Sequence, residues 1–409
     1  MIKHPPGFWH LLWVQFVGAF NDNVWKILVT LLLIAYAKTQ SGDTLLAAQY
    51  YSTLVFVVFT LPFVLFSLPA GVLSDQIDRK KVIVWTKAVE MSILALGWIS
   101  LLYQGWIFFP LIVLALLSIQ SAFFGPAKYA ILTDLLEPKN LPSGNAHLQT
   151  WTLLAIIMGS AAGGYLLDIM TDHKAWIALF LLILSASSFW SSLHIHRSFS
   201  SSSPNVVATA HSMKLLKDAA KESLSSPLLR TAILSLSFCW LLISQASQNI
   251  LVYAKIYLSL TDSLAALPMA VFGVGVGIGS FVVSTVAQDR KMFQMSLLGI
   301  SGFFLVHLAL SFHPNYSILL VLAGMFGMCN GFWMTPLQVY LQKYSSTERR
   351  ATVLGIANWI GFIGIFLGSI LVSASAYLSM TISQTFQVFA GLILAHLVWM
   401  IFERKNISL

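Results

Sequence analysis

Long apolar stretches recur along the whole chain, and each is long enough to cross a lipid bilayer as a helix. A transmembrane helix needs about 20 largely apolar residues, and the sequence contains twelve such stretches separated by polar turns. The pattern therefore predicts an all-α polytopic membrane protein with twelve transmembrane helices. The predicted spans are residues 11–37, 49–73, 82–103, 106–134, 146–168, 174–194, 228–259, 264–287, 293–312, 315–344, 350–376 and 383–402.

The composition excludes the soluble classes of protein. Hydrophobic residues make up 57% of the 409-residue chain, charged residues only 9%, and the mean hydropathy is +0.80. A typical soluble domain carries about 25% charged residues, and so few charges could not cover a surface that faces water. The net charge of +8 does not indicate nucleic-acid binding, because the basic residues lie mainly in the loops between spans.

The distribution of basic residues predicts the orientation of the chain. With a cytoplasmic N-terminus, the cytoplasmic segments hold 17 of the 23 Lys and Arg residues, the outer loops hold two, and four lie inside spans. Loops rich in Lys and Arg stay on the cytoplasmic side of a membrane. The sequence therefore predicts a multi-pass membrane protein with both termini in the cytoplasm.

The longest connection divides the spans into two groups of six. It begins with a Ser-rich run and ends in a basic amphipathic stretch, Lys214 to Lys221, which is typical of a helix lying on the inner leaflet. A plain flexible linker is the alternative. The predicted domains are an N-terminal six-helix bundle (1–194), a cytoplasmic linker with the amphipathic stretch (195–227) and a C-terminal six-helix bundle (228–409).

The two halves repeat three local features at nearly equal offsets, which predicts a duplicated six-helix unit. This architecture resembles that of the major facilitator superfamily, whose members hold substrate between the halves near the middle of the membrane. The repeated features are Asp78-Arg79-Lys80 and Asp289-Arg290-Lys291 (offset 211), Gly159-Ser160 and Gly368-Ser369 (offset 209), and Pro126 and Pro336 (offset 210).

The loop after span 2 resembles a signature of that superfamily: a Gly (Gly71), an Asp four residues later (Asp75), and a basic cluster that includes Arg79 and Lys80. Asp78 stands where the signature usually has Gly. The resemblance implies a conformational role, in which Asp75 locks one state of the transporter. An ordinary charged turn is the alternative.

Span 5 contains the run Gly159-Ser160-Ala161-Ala162-Gly163-Gly164. Antiporters of the superfamily often have Pro at the position of Ser160. A packing face of small residues is the simpler interpretation of the run.

Span 1 carries the most informative polar residues. Asp22 lies about 12 residues into the span, or roughly 17 Å at the helical rise, and Lys26 follows one turn later on the same face. A charge at that depth costs at least about 2.5–3.5 kcal/mol. We therefore expect Asp22, Asn23 and Lys26 to face a cavity and bind substrate or an ion; a buried structural Asp–Lys pair is the alternative.

Further candidate substrate-binding residues lie in other spans. Lys87 and Glu90 share one face of span 3, and Lys128 lies near the cytoplasmic end of span 4, where its ammonium could instead extend to the membrane surface. The remaining polar candidates are Gln149, Asn249 and Asn358. Charge recognition is therefore expected in the first half of the chain.

Several of these segments together resemble the lysophospholipid transporter family of the major facilitator superfamily. The family also occurs as the membrane domain of fused acyltransferase/acyl-ACP synthetase proteins. The resemblance implies that the protein flips lysophosphatidylethanolamine and related lysolipids to the inner leaflet for reacylation, with an acyltransferase as a partner. The segments are Ala19-Phe20-Asn21-Asp22-Asn23, Lys87 with Glu90, Phe124-Gly125-Pro126-Ala127-Lys128-Tyr129-Ala130-Ile131-Leu132, and Gly144-Asn145.

The residues agree with such a substrate, which has a phosphate anion, often an amine cation, and one acyl chain. Lysine can bind the phosphate as a point charge, and a carboxylate can bind the ammonium. A proton-coupled carrier of a drug, siderophore or other small molecule is the alternative function, with Asp22 or Glu90 as proton carrier. We expect a monomer that is not an enzyme, with no cofactor and no metal; a coupling cation, sodium or proton, stays open.

Overall fold

A computed structural model describes residues 5–39, 42–103, 106–137, 140–195, 208–285, 289–346 and 349–404. Twelve of the helices in these ranges are long and apolar enough to cross a membrane, which confirms the predicted fold class and number of spans. The helices are α1 (Pro6–Ala37), α2 (Thr44–Gln76), α3 (Arg79–Leu102), α4 (Phe109–Ala130), α5 (Leu132–Leu135), α6 (Leu141–Ile169), α7 (Ala175–Leu193), α8 (Ala208–Ser225), α9 (Pro227–Ile256), α10 (Asp262–Ser284), α11 (Asp289–Leu310), α12 (Tyr316–Tyr344), α13 (Arg350–Tyr377) and α14 (Ile382–Glu403).

Proline and short polar side chains explain where several helices begin. Proline is the first residue of α1 and of α9, since its fixed φ suits a helix start and its missing N–H has no helical partner there. The hydroxyl of Ser226 accepts from the backbone N–H of Leu229, and Thr381 and Gln384 form a reciprocal capping box at α14. Because Pro6 suits the first position of a helix, α1 begins at Pro6 and not at the predicted residue 11.

The predicted span 106–134 is confirmed as one candidate membrane span, Phe109–Leu135, but it contains a break: α4 ends at Ala130 and the short α5 begins at Leu132. Pro126 lies inside the last turns of α4 and cannot donate a helical hydrogen bond. At the break, the guanidinium of Arg79 donates to the carbonyl of Ala130 at 3.2 Å and to Asp134 at 2.8 Å. The bond to Ala130 satisfies a backbone carbonyl that a continuous helix would have paired.

The described chain groups into two compact units. The first comprises Met1–Tyr36 and Val58–Ser212, and the second comprises Ala37–Val57 and Met213–Leu409. The N-terminal part of α2 thus groups with residues of the second half of the sequence. The predicted domain boundaries at 194 and 228 stay predictions.

The first unit has an apolar core around the N-terminal part of α1. Phe8, Leu11, Ile83, Phe124 and Leu148 all belong to this buried cluster, so that α1, α3, α4 and α6 share it. Near the middle of α1 the core becomes polar, and the candidate substrate residues lie in that region.

The basic amphipathic stretch forms the helix α8, most of which, from Met213 onward, belongs to the second unit. Ala219 is buried, whereas Lys214 and Lys217 are exposed. The carboxylate of Glu222 accepts from the backbone N–H of Ser346 at 2.8 Å and pairs with Arg349 at 3.3 Å. The carboxylate thus ties α8 to the loop before α13. Its position on a membrane leaflet stays a prediction.

Each unit contains the same glycine contact between two of its helices. In the first unit, Gly159 and Gly163 of α6 lie against the backbone carbonyls of Phe20 and Val24 in α1. The second unit has the same arrangement between α13 and α9, with Gly364 and Gly368 against the carbonyls of Ser237 and Leu241.

The paired contacts support a repeated unit. Taken in order, Gly159 and Gly163 correspond to Gly364 and Gly368, an offset of 205. The first residues of α6 and α13, Leu141 and Arg350, are 209 residues apart, which is the offset of the predicted match between Gly159 and Gly368. Small residues recur every four positions along both helices, and a sequence comparison cannot distinguish matches that differ by one helical turn.

Candidate substrate site

One face of α1 forms the centre of the site. Gln15, Gly18, Asp22 and Lys26 follow one another at intervals of three or four residues and therefore lie along one side of the helix. The carboxylate of Asp22 is buried, with 8% of the residue exposed. The helix continues without a break to Ala37, so these polar groups sit inside a membrane-spanning segment.

Asp22 has one paired and one unpaired carboxylate oxygen. The hydroxyl of Ser121 on α4 donates to Oδ2 at 2.6 Å, whereas Oδ1 is buried and has no hydrogen-bond partner among the described residues. The amide nitrogen of Gln120, next to Ser121, is likewise buried without an acceptor in the described part of the chain. A buried carboxylate oxygen of this kind is costly unless a ligand or ion pairs with it.

The ammonium of Lys26 is held by the neighbouring amide. Lys26 Nζ donates to Asn23 Oδ1 at 3.0 Å and lies 4.8 Å from the centre of the Phe59 ring. Asn23 in turn donates to the carbonyl of Ala19 at 2.8 Å. Asn23 therefore orients Lys26, a role that the sequence pattern did not indicate.

Lys128 points into the first unit. Its Nζ donates to Gln15 Oε1 at 3.0 Å and lies 5.8 Å from the centre of the Phe124 ring. The amide of Gln15 donates to Thr152 at 2.7 Å, which fixes its oxygen toward Lys128. The structure thus favours the internal position of Lys128 over an extended one at the membrane surface.

Lys87 and Glu90 form a closed ion pair beside this face. Their charged atoms are 2.5 Å apart, and each side chain is only 1% exposed. The other Glu90 oxygen accepts from Asn21 at 3.2 Å and from Ser185 on α7 at 3.3 Å. Glu90 thus contacts the residue before Asp22, but in this structure the charges of Lys87 and Glu90 bind each other, and their role in substrate binding stays a prediction.

The remaining predicted binding residues lie elsewhere. Gln149 on α6 and Asn358 on α13 are exposed. Asn249 on α9 is fully buried, accepts from Gln49 Nε2 at 3.0 Å and donates to the carbonyl of Gln245 at 3.3 Å. Asn249 and Asn358 belong to the second unit, whereas the residues around Asp22 belong to the first.

The residues of the loop motif have separate roles. Arg79 pairs with Asp134, which is 2% exposed, and Asp78 caps α3 by accepting from the backbone N–H groups of Lys80 and Lys81. This cap explains why Asp replaces the usual Gly at position 78. Gly71 has no described heavy atom within 4 Å of the place a Cβ would take. The side chain of Asp75 lies outside the described part of the chain, so its locking role stays a prediction.

Sequence reasoning missed the neutral partners of the charged residues. Three of these partners bond directly to a charged side chain: Gln15 to Lys128, Ser121 to Asp22 and Ser185 to Glu90. The fourth, Gln120, lies next to Ser121 in the sequence. The only available signal was their spacing relative to Asp22, Lys128 and Glu90, and isolated hydroxyls and amides are common in membrane helices. Among the described residues, no group of three or more His, Cys, Asp or Glu side chains is arranged to hold a metal ion.

Residues 11–369 match the sequence model of the Major Facilitator Superfamily. Curated relatives include a protein named lysophospholipid transporter LplT from Escherichia fergusonii, 25% identical over 358 residues, which cover 85% of this chain and 81% of that protein. The protein of the same name from Salmonella paratyphi B is 24% identical over 373 residues, covering 87% and 82%.

Solved transporter structures share the fold. A POT family transporter in complex with 5-aminolevulinic acid matches with a TM-score of 0.76 at 12% identity, covering 99% of this chain and 97% of that one. The nucleoside transporter NupG (D323A mutant) matches with a TM-score of 0.72 at 12% identity, covering 97% and 99%. At such identities the likeness concerns the fold alone.

Proposed function

From the premise that the chain belongs to the Major Facilitator Superfamily and is a multi-pass membrane transporter, we propose that it flips lysophospholipids across the bacterial inner membrane by alternating access. The names of its relatives support this substrate class. The single observation that carries the proposal is the polar face of α1, where a buried carboxylate oxygen of Asp22 lacks a partner among the described residues.

The charges in the first unit match a zwitterionic headgroup. Asp22 Oδ1 would accept from the ammonium of lysophosphatidylethanolamine. The ammonium groups of Lys26 and Lys128, now bonded to neutral amide oxygens, would bind the phosphate. Exchanging a neutral acceptor for a phosphate strengthens a lysine hydrogen bond, since charge-assisted bonds are roughly twice as strong as neutral ones.

The orientation and access route complete the proposal. Both termini lie in the cytoplasm, as the 17-to-2 distribution of basic residues indicates. The lysolipid enters sideways from the bilayer, because it partitions into the membrane and the outer loops are short. It is then delivered to the inner leaflet, where an acyltransferase restores its second chain.

The proposal is tested with the purified protein in liposomes. Labelled lysophosphatidylethanolamine is added from outside, albumin then extracts the lipid left in the outer leaflet, and the protected fraction is measured with and without sodium and proton gradients. Protein-dependent protection is expected. Protection no greater than in protein-free liposomes would contradict the proposal and favour a carrier of a soluble small molecule. Dependence on one gradient would identify the coupling ion.

A further inference from the structure

The Lys87–Glu90 pair is the most enclosed charged group of the first unit's described residues, and it does not face a ligand. Each side chain is 1% exposed and their charged atoms are 2.5 Å apart. A charge pair enclosed in this way is costly to desolvate and is weak support for stability by itself. Its position beside the substrate face therefore calls for another explanation.

The pair contacts two residues that precede Asp22 on α1. Asn21, the residue before Asp22, donates to Glu90 Oε1 at 3.2 Å. The ammonium of Lys87 occupies the space beside Gly18, one helical turn before Asp22, where the Cβ of any larger residue would collide with it. Both charged residues thus lie against α1 within about one helical turn of Asp22.

The pair also shares an aromatic ring with the second cation of the site. The centre of the Phe124 ring lies 4.3 Å from Lys87 Nζ and 5.8 Å from Lys128 Nζ. Lys87 is therefore close to Lys128, which is proposed to bind the phosphate, although its own partner is Glu90.

We infer that Lys87 and Glu90 preserve the headgroup preference of the site by balancing each other's charge, without touching the headgroup. The inference rests on the proposed function. As long as both are charged, their fields largely cancel, and Asp22, Lys26 and Lys128 decide what binds. Loss of either charge leaves an uncompensated charge of the opposite sign in a region of low dielectric, where its field reaches the headgroup.

The sign of the effect follows directly. Glu90→Gln leaves the positive charge of Lys87, which favours lysophosphatidylglycerol, with one net negative charge, over the zwitterionic lysophosphatidylethanolamine. Lys87→Gln leaves the negative charge of Glu90 and shifts the preference the other way. One unit charge at about 10 Å and an effective dielectric constant of about 20 changes the preference roughly tenfold in each direction.

The test measures initial uptake of both lysolipids by the full-length protein in liposomes and compares the ratio of the two rates. We expect the glycerol-to-ethanolamine ratio to rise in Glu90→Gln, to fall in Lys87→Gln, and to return near the wild-type value in the charge-swapped variant Lys87→Glu/Glu90→Lys. Asp172→Asn, which removes one negative charge at an exposed position, is the matched control and should leave the ratio unchanged.

Opposite shifts distinguish this role from a merely structural one, which would lower both rates and leave their ratio unchanged. Lys87→Gln keeps Asn21 and Ser185 as donors to Glu90 and is thus the variant expected to fold. An unchanged or raised ratio in that variant alone would overturn the inference. A wild-type protein that takes up neither lysolipid would contradict both the proposed function and this inference. Normal uptake by the wild type, with an unchanged ratio in Lys87→Gln, would contradict the inference only.

Discussion

The hydroxyl of Ser121 donates a hydrogen bond of 2.6 Å to Oδ2 of Asp22 and so joins α4 to α1 in the middle of the first unit. The bond holds the carboxylate in one orientation and leaves Oδ1 buried without a partner among the described residues. A charge-assisted bond of this kind is shorter and stronger than one between neutral groups. The carboxylate is thus fixed in place, and one of its two oxygens has no partner among the described residues.

Replacing Asp22 by Asn should abolish lysolipid transport in a protein that still folds and inserts. The substitution keeps the size of the side chain and removes the charge proposed to bind the ammonium or a coupling cation. Uptake in liposomes is expected to fall at least about a hundredfold, which corresponds to about 2.7 kcal/mol. Ser121→Ala, which removes the orienting bond but keeps the charge, should reduce uptake only several-fold.

Two outcomes would favour other roles for Asp22. Wild-type uptake in Asp22→Asn would make the residue dispensable. Failure of this variant to accumulate would favour a structural role, because the lost charge would leave a buried cation without compensation.

The ion pair between Arg79 and Asp134 should stabilise the end of α4. Asp134→Asn removes the charge that the guanidinium contacts at 2.8 Å. Because Arg79 is partly exposed, we expect a loss of about 1–3 kcal/mol, less than for a fully buried pair. Thermal unfolding of the purified protein in detergent measures it. The control is Lys81→Gln, at an exposed position of α3, the helix that also carries Arg79; it should change stability by no more than about 0.5 kcal/mol. Equal unfolding temperatures for the two variants would argue against the role of the pair.

The contact between α6 and α1 should not tolerate a side chain at Gly159. A Cβ there would lie 2.7 Å from the carbonyl oxygen of Phe20 and 3.1 Å from Asn23, which orients Lys26. Gly159→Ala is expected to cost about 1–3 kcal/mol through overpacking and to lower transport as well. The matched control is Gly391→Ala on α14, where no described heavy atom lies within 4 Å of the added Cβ. Its unfolding temperature should be no lower than that of the wild type. Early unfolding of both variants would point to a general effect of the methyl group.

If the substrate enters sideways from the bilayer, as proposed, its uptake should require the acyl chain. Glycerophosphoethanolamine has the same headgroup as lysophosphatidylethanolamine but is water-soluble and has no chain to partition into the membrane. It should be neither taken up nor able to compete with labelled lysolipid at equal concentration. Burial of each methylene group contributes about 0.8 kcal/mol, so competition should appear and strengthen as acyl chains of increasing length are added. Strong competition by the chainless compound would favour access from water.

The location of the polar residues could be predicted in part. The depth of Asp22 in span 1 and the helical spacing to Lys26 were enough to place both on an internal face, since isolated charges in a membrane helix avoid lipid. The partners could not be predicted: Lys26 bonds to Asn23, and Lys128 bonds to Gln15. Such pairings depend on which helices are neighbours and on their rotation, and hydropathy reports neither.

The sequence by itself determined the membrane class, the twelve spans and the resemblance to lysophospholipid transporters, because each of these rests on local hydropathy or on short motifs within one segment. Only the tertiary structure decided that Lys87 and Glu90 close on each other, that Asp22 keeps one oxygen unpaired among the described residues, and that Gly159 and Gly364 each lie against the backbone of a neighbouring helix. Each of these depends on the distance between side chains or helices. Charges near each other in sequence have the same pattern whether they bind one another or a ligand, and only packing distinguishes the two.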